Sequence, residues 1–301
     1  MRAVTYSELG GPEVLEVADV PEPHAGPGQV RIKVAAASVN PVDWKTFRGL
    51  MPGAQAPAGP TVLGWDASGV VDEVGEGVTG VAVGDDVFGF GRGTQAERTV
   101  LTAWAPKPAS LDWSVAAAAP SALETSERVL RLLDLQPGQT LFVAGGAGGV
   151  GAVLVQMAVA AGVTVVASAS ADNQGYLAEI GAVGVPYGEG LVDRVRAAAP
   201  DGVDAVADVA GKTPAADLFA LAPSRDKVLS IANFDLAAEG GRVTGGSESE
   251  RRPTEALAQG VELLRESKVV IKVQTFPLER AREAYETSLS GHVRGKLVLL
   301  P

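Results

Sequence analysis

The sequence predicts an α/β protein, with a β-rich N-terminal part followed by a doubly wound parallel sheet. Three observations carry this. Up to about residue 118, short apolar runs are cut repeatedly by Gly and Pro clusters, the pattern of strands and turns. From Thr140 onward, short apolar runs alternate with segments of helical periodicity, the pattern of βα units. Where the second pattern begins, Leu141-Phe-Val-Ala-Gly-Gly-Ala-Gly-Gly-Val-Gly151 joins an apolar strand to an Ala/Val-rich helix through a glycine loop.

In chain order, the opening Met-Arg-Ala-Val-Thr-Tyr reads as a strand. Further strands are expected at 30–39, 67–74, 86–90 and 96–101, separated by turn clusters such as 21–28 and 52–60. A helical stretch over 113–133 ends at Gln136-Pro-Gly-Gln. Strands then fall at 140–143, 163–167, 183–185, 203–207 and 228–231, with helices at 173–180, 191–199 and 213–221 between them. After Pro253 come helices at 254–266 and 278–289 and a last strand at 296–300. The domains are expected at 1–118, 119–252 and 253–301, the last segment returning to the first.

The glycine loop carries the strongest chemical signal. Gly146-Ala-Gly148-Gly149-Val150-Gly151 is a G-x-G-x-x-G in its required setting, after a strand and opening a helix. One glycine turns tightly, one admits a pyrophosphate to the backbone, and the last lets helix and strand pack closely. The helix N-terminus adds free N–H groups and a positive dipole end, so a Rossmann dinucleotide site is expected here. An NAD site wants Asp or Glu at the end of the second strand for the ribose 2′-hydroxyl. This chain has Ser168-Ala-Ser170, whose hydroxyls can meet a 2′-phosphate, so NADPH is expected in preference to NADH.

Composition narrows the rest. With 301 residues, 46% hydrophobic and 20% charged, the chain is a folded protein large enough for two domains. A net charge of −11 speaks against nucleic acid and against an anionic membrane as partner. No apolar run reaches spanning length, and a cytoplasmic location is expected. Zero Cys excludes disulfides and thiolate–metal sites, while His24 and His292 lie in separate Gly/Pro-flanked turns, so no zinc or other metal site is expected.

Several further motifs stand together. They are Ala37-Ser-Val-Asn-Pro-Val-Asp-Trp-Lys45, Val62-Leu-Gly-Trp-Asp-Ala-Ser-Gly-Val-Val71, Val74-Gly-Glu-Gly-Val78, Val83-Gly-Asp-Asp-Val87 and Gly291-His-Val-Arg-Gly-Lys-Leu-Val298. With the glycine loop, they make the whole chain resemble the zinc-free quinone oxidoreductase (ζ-crystallin-like) branch of the medium-chain dehydrogenase/reductase superfamily. That resemblance implies a GroES-like N-terminal catalytic domain. Zinc members carry Cys near the position of Asn40 and His at that of Trp65, ligand types this chain lacks there. Without a Lewis acid, hydride delivery to an already electrophilic acceptor, a quinone or α,β-unsaturated carbonyl, is the implied chemistry.

The resemblance also implies roles. Asn40 would donate its amide to the substrate carbonyl oxygen, or else only cap the turn before Pro41. Thr125 would lie near the nicotinamide carboxamide. Lys45 would hold substrate or face water, and Asp43 would tie the same loop. Trp44, Phe47, Met51 and Trp65 would wall a flat apolar pocket, with core packing the alternative for the Trp residues. Asp66 is architectural. Asn173, Tyr187 and Arg294 (or Lys296) would approach the cofactor, and Ile231 and Phe234 would either neighbour the nicotinamide or fill core. None of the four Tyr stands where relatives place a proton donor. A homodimer through the 228–245 region is implied. Two other functions stay open: a pathway-specific tailoring reductase or cyclase on a polyketide-like or enoyl substrate, and a non-catalytic NADPH-binding protein.

Overall fold

The structure, a computed structural model, describes residues 1–51, 53–247 and 249–301; Pro52, in the expected turn cluster at 52–60, lies outside them. The chain begins with β1 (Arg2–Tyr6), β2 (Glu16–Asp19), β3 (Val30–Val39), α1 (Pro41–Phe47), β4 (Thr61–Val62), β5 (Asp66–Val74), β6 (Asp86–Arg92), β7 (Arg98–Pro106) and α2 (Trp113–Ala118). It continues with α3 (Pro120–Leu133), β8 (Thr140–Ala144), α4 (Gly151–Ala160), β9 (Thr164–Ala169), α5 (Gln174–Glu179), β10 (Val183–Pro186), α6 (Leu191–Ala198), β11 (Ala205–Asp208), α7 (Ala215–Leu221), β12 (Val228–Ser230) and β13 (Arg242–Val243). It ends with α8 (Pro253–Arg265), β14 (Val273–Pro277), α9 (Ala281–Leu289) and β15 (Lys296–Leu300). These fall into two units: residues 1–121, 253–265 and 271–301 form one, residues 122–252 and 266–270 the other.

The first unit is built on a six-stranded sheet ordered β14-β15-β3-β5-β6-β7. The long strand β3 is shared. It pairs with β5 along most of its length, with β7 through Val30–Lys33, and with β15 through Ala37–Val39. The β3–β7 pairing closes the last four strands into a barrel, which removes two sheet edges. At its far end β3 runs into α1. There Phe47 sits between Tyr6 and Tyr285 in a core completed by Phe276, Leu278, Leu297 and Leu299.

The second unit holds a six-stranded parallel sheet ordered β10-β9-β8-β11-β12-β13. Alternate residues of β8 serve opposite cores: Leu141 and Val143 join one cluster, Phe142 and Ala144 the other. A strand buried on both faces reads as a continuous apolar run, which explains why its periodicity is absent from the sequence. The strand order reverses between β8 and β11, the place where doubly wound sheets bind ligands.

Local chemistry corrects several boundaries. The stretch after Asn40 is a helix, α1, because Asn40 precedes Pro41 at the first helical position and Asp43 closes a capping box. The single helix expected at 113–133 is two, divided before Pro120, with Asp112 capping the first through Ser114 N–H at 2.8 Å. The strand expected at 96–101 begins at Arg98 and runs to Pro106. The short strands β2, β4, β13 and β14 carry too little apolar pattern to be anticipated.

Candidate active site

Asn40 sits where β3 gives way to α1, and a buried polar network is assembled around it. Its backbone N–H donates to the Asp43 carboxylate at 2.7 Å. Its side-chain nitrogen Nδ2 donates to Asp66 Oδ2 at 2.8 Å, and its Oδ1 accepts from the Lys296 ammonium. Asp66 also accepts from Ser121 Oγ at 2.5 Å. Behind Asp43, Gln95 donates to the Ser38 carbonyl at 3.0 Å, and the Tyr285 hydroxyl lies 2.8 and 2.9 Å from its two amide heteroatoms. Asn40, Asp43, Asp66, Gln95, Tyr285 and Lys296 are all at most 5% exposed. Six elements, β3, α1, β5, α3, α9 and β15, and the loop before β7 therefore converge here, from both ends of the sequence.

Burial sets the electrostatics. It pushes the Asp43 carboxyl up to about 7, with the Asp66 charge adding to it and the Asn40 N–H, Lys296 and Tyr285 opposing. Asp66 is raised by burial against Lys296, Ser121 and Asn40. Lys296 is lowered by burial against the pull of Asp66 and Asp43. The Tyr285 hydroxyl is raised by burial and by the neighbouring Asp43 charge. Each charged form is expensive, and partners of opposite sign or hydrogen bonds offset only part of that cost.

In the second unit, the chain leaves β8 through a glycine loop. Gly145 takes a left-handed φ of 96°, and its N–H and that of Gly146 donate to the Ser168 carbonyl at 3.2 and 2.9 Å. A Cβ on Gly151 would lie 2.1 Å from the Gly145 carbonyl, so this residue must be glycine for α4 to pack on the loop. A Cβ on Gly148 would meet only that carbonyl, at 3.6 Å, which leaves the loop surface open for a phosphate to approach. The residues present fit a pyrophosphate on the first turn of α4. Further along the sheet, Asp208 at the end of β11 accepts from Ser230 Oγ at 2.7 Å and from Gly211 N–H at 2.9 Å, tying two strand ends together.

With this geometry, the similarities to known proteins are informative. Residues 26–106 match the alcohol dehydrogenase GroES-like domain, and residues 180–299 match zinc-binding dehydrogenase. A chloroplastic NADPH-dependent alkenal/one oxidoreductase of Arabidopsis thaliana is 30% identical across the whole chain and 80% of its own length. A quinone oxidoreductase of Rattus norvegicus is 31% identical across the whole chain and 98% of its own length. The chain belongs to the medium-chain dehydrogenase/reductase superfamily, in its quinone oxidoreductase branch. A solved mycobacterial structure complexed with NADPH matches this dehydrogenase/reductase along the full length of both chains, with a TM-score of 0.86 at 28% identity.

The residues expected at the site are distributed as follows. In the first unit of this dehydrogenase/reductase, Trp44 is half-buried against the core, with Lys45 Nζ 5.9 Å above its ring. Trp65 carries the Arg92 guanidinium at 4.6 Å, Met51 is exposed, and Arg294 is exposed in the turn before β15. In the second unit, Thr125 Oγ1 accepts at 3.4 Å from Arg128, a buried residue that also donates to Glu124 at 3.0 Å and Thr244 at 2.5 Å. Tyr187 is exposed beyond β10, with its N–H on the Ala169 carbonyl at 3.2 Å. Asn173 donates to Ser170 Oγ at 2.9 Å. Ile231 is packed against the core, whereas Phe234 is 49% exposed.

Three expectations are corrected. Phe47 is fully buried between two aromatic rings, because α1 turns it into the core; it lines no pocket. Ser168 is 2% exposed with its Oγ accepting from Gly145 N–H at 3.3 Å, so it braces the glycine loop and presents no hydroxyl to a phosphate. Lys296 points into the Asn40 network of its own unit, where its ammonium donates to Asn40. Three network members, Ser121, Gln95 and Tyr285, carry no motif of their own. Only their burial in the fold reveals them. Near Tyr187, Arg194 is likewise unanticipated, with contacts to the Pro186, Tyr187 and Gly188 carbonyls at 3.0, 3.4 and 3.2 Å.

Proposed function

We propose that the chain is an NADPH-dependent oxidoreductase that reduces a quinone or an α,β-unsaturated carbonyl compound without a zinc ion. The observation that carries the reading is the buried Asn40 amide. One N–H of Nδ2 is spent on Asp66, and the other has no acceptor among the described residues. A donor held in a dry, preorganised setting favours the negative charge that builds on a carbonyl oxygen as its conjugated system is reduced. NADPH, when bound, supplies the hydride. Conjugation spreads the resulting charge, so the protein needs only to orient the acceptor and stabilise one oxygen, and the proton that completes the reduction comes from water.

The donor set does not fit zinc. There is no Cys, the His24 side chain is 79% exposed beside Glu73, and His292 is exposed. Among the described residues, no cluster of three or more His, Cys, Asp or Glu side chains is placed to hold a metal ion. The preference for NADPH rests on Ser170 and Tyr187 at neighbouring strand ends without an acid of the NAD type, and on the Arg194 cation beside Tyr187. Gly146, Gly148, Gly149, Val150 and Gly151 would hold the pyrophosphate, and Thr125 the nicotinamide. A homodimer through the edge strand β13 and a cytoplasmic location complete the proposal. Neither affects the chemistry.

The test is turnover. Purified protein should oxidise NADPH faster in the presence of simple quinones or enones, and Asn40→Ala should lower that rate ~100-fold while leaving NADPH affinity nearly unchanged. Tight NADPH binding with no acceptor-dependent oxidation across a broad panel would refute the catalytic reading and favour a binding protein.

A further inference from the structure

We infer that Lys296 is a positioning residue for the reduction, acting through the orientation of the Asn40 amide. The inference rests on Asn40 being the donor proposed above. A carboxamide has two nearly isosteric ends, and a half-turn about its last side-chain bond would present Oδ1, not N–H, to the substrate oxygen. That flipped state would repel the developing charge. In this chain the two ends are read by groups of opposite sign. Asp66, an acceptor when ionised, takes the Nδ2 hydrogen at 2.8 Å, and Lys296, a donor with no acceptor capacity, takes Oδ1. A flip would set nitrogen against ammonium and oxygen against carboxylate, exchanging two charge-assisted hydrogen bonds for two repulsions. The second N–H is therefore held in one direction. The cation on Oδ1 also draws electron density through the amide and strengthens that N–H as a donor.

The fold builds this clamp deliberately into its sheet. Leu297 pairs with Val39 across the antiparallel β15–β3 ladder, so the same register brings Lys296 opposite Asn40. The preceding Gly295 has a left-handed φ of 77°, and a Cβ there would lie 2.1 Å from the Lys272 carbonyl, so only glycine permits the turn that starts β15 at this point. Lys296 is 5% exposed, although lysine is among the residues least often buried. Neither Coulombic partner, Asp66 or Asp43, lies within salt-bridge distance of it among the described ion pairs, and among the described residues its ammonium donates its one hydrogen bond to Asn40.

A double-mutant cycle tests the inference. Lys296→Met removes the ammonium and keeps the stem. It should lower kcat for quinone reduction at least tenfold, with little change in KM and in NADPH affinity measured by fluorescence titration. In the Asn40→Ala background the same change should cost nothing further, because the group it positions is gone. Asp66→Asn combined with Lys296→Met removes both buried charges together; it guards against misfolding caused by an unpaired carboxylate and should show the same loss of kcat. Undiminished kcat in Lys296→Met, or losses that multiply in the Asn40→Ala background, would overturn the inference and leave Lys296 as a structural counter-ion. Full turnover in Asn40→Ala alone would instead remove Asn40 as the donor, and the positioning role with it.

Discussion

The buried Asp43 carboxyl makes stability depend on pH in a direction opposite to that of an ordinary salt-bridged Asp. Its proton is held up to about pH 7 in the folded chain, against an ordinary value of 3.8, chiefly because burial penalises the charge. Below the ordinary value both folded and unfolded chains are protonated, and the contribution is fully present. Between there and about 7 only the folded chain keeps the proton, so stability falls as pH rises through that window. Between about pH 5.5 and about pH 8 this group alone should cost about 2 kcal/mol, at 1.36 kcal/mol per unit of differential protonation. Asp66, also raised, acts with the same sign, while Lys296, lowered, acts with the opposite sign below its ordinary 10.5. Asp43→Asn keeps an acceptor for the Asn40 N–H and cannot titrate. Urea unfolding followed by Trp fluorescence at the two pH values should show a shallower dependence in the variant, by that ~2 kcal/mol. An identical pH dependence in both proteins would refute the placement of an uncharged Asp43 in the network.

The other outcomes concern the glycine loop, the core and the cofactor. Gly148→Val should weaken NADPH binding at least ~10-fold, seen by fluorescence titration, with little change in stability, because a Cβ there meets only one carbonyl at 3.6 Å. Gly151→Val should instead lower the unfolding midpoint, since its Cβ would stand 2.1 Å from the Gly145 carbonyl. Phe47→Ala should destabilise the first unit by about 3–5 kcal/mol in denaturant titrations, and a folded variant with altered acceptor preference alone would contradict its placement in the core. Ser170→Asp should shift the ratio of NADPH to NADH affinity toward NADH, because a carboxylate repels a 2′-phosphate and accepts from a 2′-hydroxyl.

Much of this was legible in the sequence, for identifiable reasons. Val30–Val39 and Lys296–Leu300 could be bounded to the residue because sharp apolar runs lie beside Gly, Asn or Pro. The glycine loop was legible because its tight turn and the close packing of α4 on it each require glycine, as at Gly145 and Gly151. Helix α1 was not, since it is short and its start depends on the capping arrangement of Asn40, Pro41 and Asp43. Asn40 was identifiable from its motif, but its surroundings were not. Tyr285 and Gln95 are 190 positions apart in the chain, and no local periodicity encodes such a meeting. Phe47 and Ser168 were misassigned for a related reason. A side chain's residue type announces what it can bind, whereas the face it turns to is decided by distant packing.

The 256-residue separation of Lys296 from Asn40 has a consequence for biosynthesis. At about 5–20 residues per second, some ten to fifty seconds of translation separate the two groups, and until then the carboxylates of the first unit remain in water. The intervening unit shortens the search that follows. Its two ends are tied by the Arg251–Glu124 ion pair at 3.8 Å, so once folded it returns the chain close to where it departed. The loop left to close is then much smaller, and its entropic cost smaller with it. Nascent chains halted before β15 should carry a finished dinucleotide fold and an unfinished donor, able to hold cofactor but not to spend it.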